Sequence, residues 1–277
     1  MYINTIRIEN FRTFARMSQP VQFIHPDVDF GQLKLPVPKL KNINLVLGTN
    51  GSGKTTLLKA IALAALGPAA PDSGIFPYRL VRREPGEKLA KNLSSESPRR
   101  AVLEASFAIH GQDQVAGFSC LNSRVGVDQI GDLERLRWLS NDEELWHPVY
   151  SAGSDAFFMV GYGANRRVVK PEHERSASSS RVFPRAQRVL GIFDEAYELR
   201  PLNTWLPEYE KENPGRYAQV VHLVNRLMGS GHYVFNGEFE AGDFFSKKAG
   251  SRCLFPHSRM VIARIWVGLG IFCTTSA

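Results

Sequence analysis

The sequence predicts an α/β fold, and three observations indicate it. A glycine-rich loop at residues 48–56 lies between an apolar stretch at residues 43–47 and a stretch whose apolar residues recur at helical spacing. The first residues of the chain alternate between apolar and polar side chains, which is typical of a half-buried strand. With 277 residues, 43% of them hydrophobic, the chain is long enough for one substantial α/β domain.

The N-terminal elements are predicted from this alternation. Residues 2–9 form the first predicted strand, and residues 10–14 are predicted to form the turn after it. A second strand at residues 21–23 is expected to pair with the first and to give an antiparallel edge. Prolines then indicate a loop that leads into the strand predicted at residues 43–47.

The loop has the composition and the setting of a phosphate-binding loop. Its glycines, Gly48, Gly51 and Gly53, are expected to allow positive φ and close backbone approach, so that successive N–H groups surround an anion. A helix is predicted to begin at Lys54, and it points the positive end of its dipole at the same anion.

The side chains of the loop indicate which anion it binds. Lys54 is expected to reach the β- and γ-phosphates of a nucleoside triphosphate, and the hydroxyl of Thr55 is expected to ligate Mg²⁺. The predicted nucleotide-binding residues are Gly48, Asn50, Gly51, Ser52, Gly53, Lys54, Thr55 and Thr56.

The rest of the chain is predicted in less detail. Residues 67–100 are expected to form an irregular insertion, because they are rich in glycine, proline, serine and charged side chains. A strand is predicted at residues 101–109, a helical region at about residues 184–228, and another strand at residues 233–239.

Charge and composition exclude several classes of protein. The net charge of +7 favours polyanions, although each of its basic clusters is also explained by a solvated loop. The chain has no run of 18 apolar residues and no signal-peptide pattern, and its three cysteines lack disulfide or metal spacing. We therefore expect a cytoplasmic protein with no membrane partner. The histidines show no paired metal-ligand spacing, and no Gly-x-Ser-x-Gly turn is present.

Residues 6–14, Ile-Arg-Ile-Glu-Asn-Phe-Arg-Thr-Phe, and the Asn-Gly-Ser-Gly-Lys loop resemble the start of the RecF/SMC-like branch of ABC-type ATPases. The resemblance covers residues 1–66. It implies a P-loop NTPase head with an antiparallel β edge layer and a central mixed sheet flanked by helices. It also implies ATP and Mg²⁺ as cofactors, with Arg12 near the nucleotide, although a surface position at a strand end explains Arg12 equally well.

The same resemblance implies partners and a role. Heads of this branch dimerise with ATP between them, so the resemblance implies a homodimer. It implies work in DNA repair, chromosome maintenance or antiphage defence, with DNA and a nuclease or other effector as partners.

The chain departs from this branch in its later part. The branch needs a signature segment that reaches the γ-phosphate of the opposite head. It also needs an apolar strand followed by Asp-Glu, which holds the Mg²⁺ shell and activates water. Asp194 and Glu195 resemble this pair if residues 189–193 form a strand. The same residues also fit a helix with an acidic surface, and because no signature segment precedes them we favour the helix.

The tail, residues 251–277, is atypical. If the codons of residues 258–274 are read from their third base, synonymous choices permit Ser-Asp-Gly-Tyr-Arg, which resembles the signature segment. One hypothesis is that a frameshift replaced the signature. Residues 1–250 would then be the N-terminal portion of an ABC-type ATPase domain that is incomplete at its C-terminus. The alternative is a genuine, divergent C-terminal strand and helix.

Two functions fit the sequence, and a third fits it less well. The first is an ATPase that, in its complete form, hydrolyses ATP to drive nucleotide-dependent dimerisation. The alternative is a truncated nucleotide-binding fragment or pseudo-ATPase, which binding without turnover would select. A small P-loop kinase would need a substrate lid and an acceptor site soon after the loop helix, where the sequence predicts β-rich structure instead.

Overall fold

The computed structural model describes residues 1–26, 28–31, 36–76, 79–82, 99–109, 112–123, 134–140, 143–151, 159–163, 167–168, 184–199, 202–228, 233–248 and 251–254. These residues form two compact units. The first contains the described residues within 1–164 and 180–195, and the second contains those within 165–179 and 196–270.

The first unit contains an antiparallel sheet. Its described strands are β1 (Tyr2–Phe11), β2 (Phe14–Arg16), β3 (Val21–Gln22), β4 (Arg99–Ile109), β5 (Gln112–Ser123) and β6 (Glu134–Ser140). The strand order is β2-β1-β4-β5-β6, and β3 also pairs with β1. The predicted antiparallel edge layer and the strand predicted at residues 101–109 are therefore confirmed, whereas β5 and β6 were not predicted.

Strand β4 shows why this layer forms. Leu103, Ala105 and Phe107 alternate along it and are buried in the core of the unit. Glu104 lies between them on the opposite face, where its carboxylate is 3.6 Å from the guanidinium of Arg7 on β1. Both of these charged side chains are about half exposed, so we expect the ion pair to contribute little, and burial of the apolar face to stabilise the layer.

Helix α1 (Lys54–Leu66) follows the glycine loop and lies in the core of the first unit. Helix α2 (Glu143–Tyr150) packs near the C-terminal end of α1, where the Tyr150 hydroxyl donates a hydrogen bond of 2.6 Å to the Ala65 carbonyl. A Cβ on Gly67, whose φ is 50°, would collide with the Tyr150 ring. Burial raises the pKa of Tyr150 well above its ordinary value, although the nearby Arg185 opposes this effect.

Residues 43–47 do not form the predicted strand. They run without regular structure into the loop, and Leu45 forms an isolated β-bridge. Leu45 and Leu47 are 55% and 73% exposed, whereas Val46 packs against the core. A strand needs hydrogen-bonding neighbours on its edges, and no strand among the described residues pairs with this segment.

The segment after α1 agrees in part with the predicted insertion at residues 67–100. It begins with a 3₁₀ turn, Gly67–Ala69, and the described residues up to 82 lack a regular helix or strand beyond it. Residues 83–98 lie outside the described part of the chain, and β4 already begins at Arg99.

The second unit combines two helices with short sheets. Its described elements are β7 (Arg167–Val168), β8 (Glu198–Leu199), α4 (Leu202–Glu212), α5 (Pro214–Met228), β9 (Tyr233–Glu240), β10 (Asp243–Lys248) and β11 (Ser251–Leu254). Strands β7 and β8 pair in parallel, and the antiparallel sheet has the order β11-β10-β9. Its core contains Leu206, Tyr217, Val224, Phe235 and Phe244.

Polar side chains of α5 hold strand β9, which is an edge strand. The Asn225 amide donates to the Phe235 carbonyl at 2.7 Å, and its carbonyl oxygen accepts from the Phe235 N–H at 2.8 Å. The Tyr217 hydroxyl donates to the Gly237 carbonyl at 2.6 Å. Burial, and next the charge of Glu210, raise the pKa of Tyr217 to about 12. These bonds occupy backbone groups that an edge strand otherwise exposes.

The predicted helical region at residues 184–228 contains three helices in the structure. Helix α3 (Pro184–Phe193) belongs to the first unit, whereas α4 and α5 belong to the second. The strand predicted at residues 233–239 is confirmed as β9.

The predicted tail begins with β11, which pairs with β10 across the predicted boundary at residue 250. Residues 255–277 lie outside the described part of the chain, so the frameshift hypothesis stays a prediction. No helix of the described part has the length and hydropathy needed to cross a membrane.

Candidate nucleotide-binding site

The glycines of the loop have two different structural roles. Gly51 and Gly53 have φ angles of 82° and 93°, so the predicted positive φ is confirmed at both positions. The same prediction is wrong for Gly48, which is not among the glycines with positive φ. A Cβ at Gly48 would lie 2.5 Å from the Ser52 hydroxyl oxygen and 3.2 Å from the Ser52 Cβ, so a larger residue there would displace the Ser52 side chain.

Lys54 folds back over the loop that precedes it. Its ammonium group donates hydrogen bonds to the carbonyl oxygens of Gly48 and Thr49, at 2.7 and 2.8 Å. The residue is only 9% exposed, so the loop encloses its side chain. The ammonium group therefore lies against the backbone of the loop that is predicted to bind phosphates.

The N-terminus of α1 points into the loop without a competing acid. Gly53 is the N-cap, no side chain caps the helix, and its first turn contains no acidic residue. The first N–H groups of a helix carry a partial positive charge and bind anions. This end of α1 is therefore suited to a phosphate group.

The two threonines that follow Lys54 differ in exposure. Thr55 is exposed at the start of α1, whereas Thr56 is buried, at 4% exposure. A hydroxyl at the position of Thr55 fits a ligand of Mg²⁺, which prefers oxygen atoms and retains several waters. Among the described residues no group of three or more His, Cys, Asp or Glu side chains could hold a metal. Thr55 thus fits Mg²⁺ held jointly with a nucleotide rather than by a protein cage.

The turn between β1 and β2 packs against the loop. A Cβ on Gly53 would lie 3.0 Å from the Thr13 hydroxyl oxygen and 3.0 Å from the tip of the Phe14 ring. Arg12, in the same turn, is exposed and has a φ of 48°. The turn that carries Arg12 is therefore in contact with the phosphate-binding loop, whereas a contact of Arg12 with a nucleotide stays a prediction.

A buried cation lies beside this turn. Lys59, one helical turn and a half beyond Lys54 on α1, is 6% exposed, and its ammonium group is 6.0 Å from the centre of the Phe193 ring. Burial lowers the pKa of Lys59, the charge of Arg12 lowers it further, and the charge of Glu195 raises it. Cationic groups therefore surround the first turns of α1.

Asp194 and Glu195 follow a helix and not a strand, so the interpretation that they form a catalytic pair at the end of a strand is wrong about the local structure. Residues 189–193 are the last turns of helix α3, and the N–H of Asp194 still donates to the Leu190 carbonyl at 2.9 Å. Helix α3 ends at Phe193, directly before this pair. Both acidic side chains are exposed.

Several residues near the loop were not predicted to matter for the site. Thr13 and Phe14 contact Gly53, Lys59 lies near Arg12, and Arg82 donates a hydrogen bond of 3.0 Å to the Thr13 carbonyl. No local sequence pattern reveals these contacts, because they join residues far apart in the chain.

This loop, with its two positive-φ glycines, enclosed lysine and uncapped helix, defines the N-terminal part of the chain as a P-loop NTPase segment. Residues 5–114 match the family model of the AAA domain. The match agrees with the resemblance drawn from the N-terminal motifs, since residues 5–114 are similar to an AAA-type ATPase domain.

Comparison with known proteins adds two further findings. A solved structure of the recombination mediator protein RecF with ATP, in the RecFOR pathway, matches with 13% sequence identity and a TM-score of 0.30. The match covers 86% of this chain and 47% of that chain, so this chain spans about half the length of RecF. No curated protein matches this chain.

Proposed function

We propose that this chain binds ATP with Mg²⁺ at the loop of residues 48–56, and that the complete protein hydrolyses ATP. In this proposal ATP binding drives dimerisation of two heads in the cytoplasm, in DNA repair, chromosome maintenance or antiphage defence. The match to the AAA domain supports the ATPase class. The role in the cell rests on the resemblance of the N-terminal motifs.

One arrangement carries the proposal. The Lys54 ammonium group is bonded to the backbone of the loop, and α1 begins directly after the loop with an uncapped N-terminus and two positive-φ glycines before it. Both kinds of donor favour phosphate oxygens, and the charged donor forms the stronger hydrogen bonds. A loop that merely turned the chain would not need an enclosed lysine together with an uncapped helix.

Substitution of Lys54 by alanine tests ATP binding. Charge-assisted contacts contribute about 1.5–3 kcal/mol each, so K54A is expected to weaken ATP binding about 100-fold in a calorimetric titration. Lys39 is an exposed lysine of the same unit outside the loop, and K39A is the matched control, expected to bind like the wild type. Equal affinity of folded K54A and wild type would refute the proposal.

The role of Thr55 is tested separately from that of Lys54. In T55A we expect the gain in ATP affinity on addition of Mg²⁺ to shrink, while affinity in the presence of EDTA stays unchanged. The neighbouring Thr56 is buried, so a change there would alter packing rather than the metal.

A pseudo-ATPase is the second candidate function. The position of Asp194 and Glu195 after a helix favours it, because this pair is not placed at the end of a strand. Release of inorganic phosphate from ATP by the wild type, but not by K54A, would support the ATPase. Tight ATP binding with no turnover would support the pseudo-ATPase.

Dimerisation and DNA binding need their own measurements. Sedimentation with and without a non-hydrolysable ATP analogue tests the nucleotide-dependent homodimer. Binding of labelled DNA over a range of salt concentrations tests the polyanion surface suggested by the +7 charge, because phosphate contacts weaken steeply with salt. A nuclease or other effector partner is expected from the resemblance alone.

A further inference from the structure

A short segment within the predicted insertion, residues 80–82, holds the end of strand β1. The Arg12 N–H donates to the Leu80 carbonyl at 2.8 Å, and the Arg82 N–H donates to the Asn10 carbonyl at 2.7 Å. Between these bonds, Phe11 and Val81 form an antiparallel bridge, and both side chains are buried. Residues 80–82 are therefore docked on β1 by the backbone and by apolar packing together.

The backbone that this segment holds is strained. Asn10 and Arg12 have φ angles of 50° and 48°, in the left-handed region that side-chain-bearing residues seldom adopt. Such residues persist only where surrounding contacts fix them, and they concentrate at functional sites. The turn thus depends on contacts from outside β1 and β2.

The side chain of Arg82 supplies one of these contacts. Its guanidinium group donates a hydrogen bond of 3.0 Å to the carbonyl of Thr13, at the apex of the turn. The hydroxyl of the same threonine faces Gly53 of the phosphate-binding loop. A direct chain of contacts therefore leads from Arg82 through Thr13 to the N-cap of α1.

We propose that Arg82 is a positioning residue of the nucleotide site. Its guanidinium group holds the β1–β2 turn against Gly53, and this fixes the backbone of Arg12 so that the Arg12 side chain meets the triphosphate. The inference rests on the proposed binding of ATP at the loop. Arg82 acts through the turn and does not itself contact the nucleotide.

The test uses ATP affinity in variants of Arg82 and Arg12. R82M keeps the apolar stem but removes the donor, and it is expected to weaken ATP binding about fivefold, as for the loss of one hydrogen bond. R82K restores a hydrogen-bond donor but lacks the planar guanidinium group, and it is expected to recover part of the ATP affinity. Arg79, exposed and three residues earlier, provides the matched control R79M, which should bind like the wild type.

A double-mutant cycle separates positioning from a general effect on stability. If Arg82 acts through Arg12, R12A/R82M binds ATP no more weakly than R12A alone. Losses that multiply in the double variant, or an R82M that binds ATP like the wild type, would overturn the inference. Should R82M fail to fold, R82K takes its place in the same cycle.

This outcome is distinguishable from failure of the proposed function. If K54A and the wild type bind ATP equally, the loop is not the nucleotide site and both proposals fail. If K54A loses ATP binding while R82M and R82K retain full affinity, the nucleotide site stands and only the positioning role is refuted.

Discussion

Gly53 is the position where a single methyl group tests the packing of the loop against the β1–β2 turn. Its φ of 93° is unfavourable for any other residue, and a Cβ there would lie 3.0 Å from both Thr13 and Phe14. Gly51 offers a matched comparison, because its φ of 82° is similar but no atom lies within 4 Å of its Cβ position.

The two costs can be estimated separately. A left-handed alanine costs about 1–2 kcal/mol, from which the restricted unfolded chain recovers about 0.4–1 kcal/mol. This backbone cost applies to G51A and G53A alike. The new methyl in G53A would also require Thr13 and Phe14 to move by a few tenths of an ångström, and overpacking of this kind costs about 1–3 kcal/mol. We therefore expect G53A to be less stable than G51A by about 2 kcal/mol.

Thermal and urea unfolding of both variants measure this difference. For a unit of this size, 2 kcal/mol corresponds to a melting temperature about 4–8 °C lower in G53A than in G51A. ATP affinity is also expected to fall more in G53A, since the turn that carries Arg12 is pushed away from the loop. If G51A and G53A lose stability equally, the turn does not pack on the loop and the reasoning is refuted.

Two further predictions concern buried polar groups. Because the pKa of Lys59 is lowered by folding, the unfolded chain binds more protons between that lowered pKa and 10.5, so stability should rise with pH across this window. K59M should be at least as stable as the wild type at pH 7 and should lack this rise; equal pH profiles in urea unfolding would contradict the prediction. N225D places a carboxylate against the carbonyl oxygens of Phe235 and Val221, and we expect it to cost about 3 kcal/mol of stability. The control is N213D, because Asn213 precedes α5 and Asp and Asn are equivalent as helix caps. Similar urea midpoints for N225D and N213D would refute the prediction for Asn225.

The elements that sequence patterns predicted are those with strong local signals. The glycine loop and α1 were predicted together, because the glycines and the lysine occur at fixed spacing and the helix follows at once. Strands β1, β4 and β9 were predicted from the alternation of apolar and polar residues. In β4 the apolar residues of this pattern, such as Leu103 and Phe107, are buried in the structure. Local propensity and tertiary packing agree at these places.

The missed features depend on distant partners. Residues 43–47 have strand-like composition, yet a strand forms only when another edge pairs with it. Helix α4 lies within the predicted helical region, although its bounds were not predicted; it contains Pro207, which normally indicates a break, but burial of Leu206 favours the helix. The contact of Thr13 with Gly53 joins residues 40 positions apart in the sequence, so no local window could predict this part of the site.

Helix α1 is fixed at both of its ends by side chains of the first unit. Thr13 and Phe14 abut Gly53 at the loop, and Tyr150 abuts Gly67 and bonds to Ala65 at the other end. Thirteen residues at 1.5 Å each make α1 about 20 Å long. A helix clamped in this way cannot slide along its axis without breaking contacts at both termini. A ligand that displaces the loop is therefore expected to strain the contacts at the far end of α1, including the Tyr150 hydrogen bond from α2.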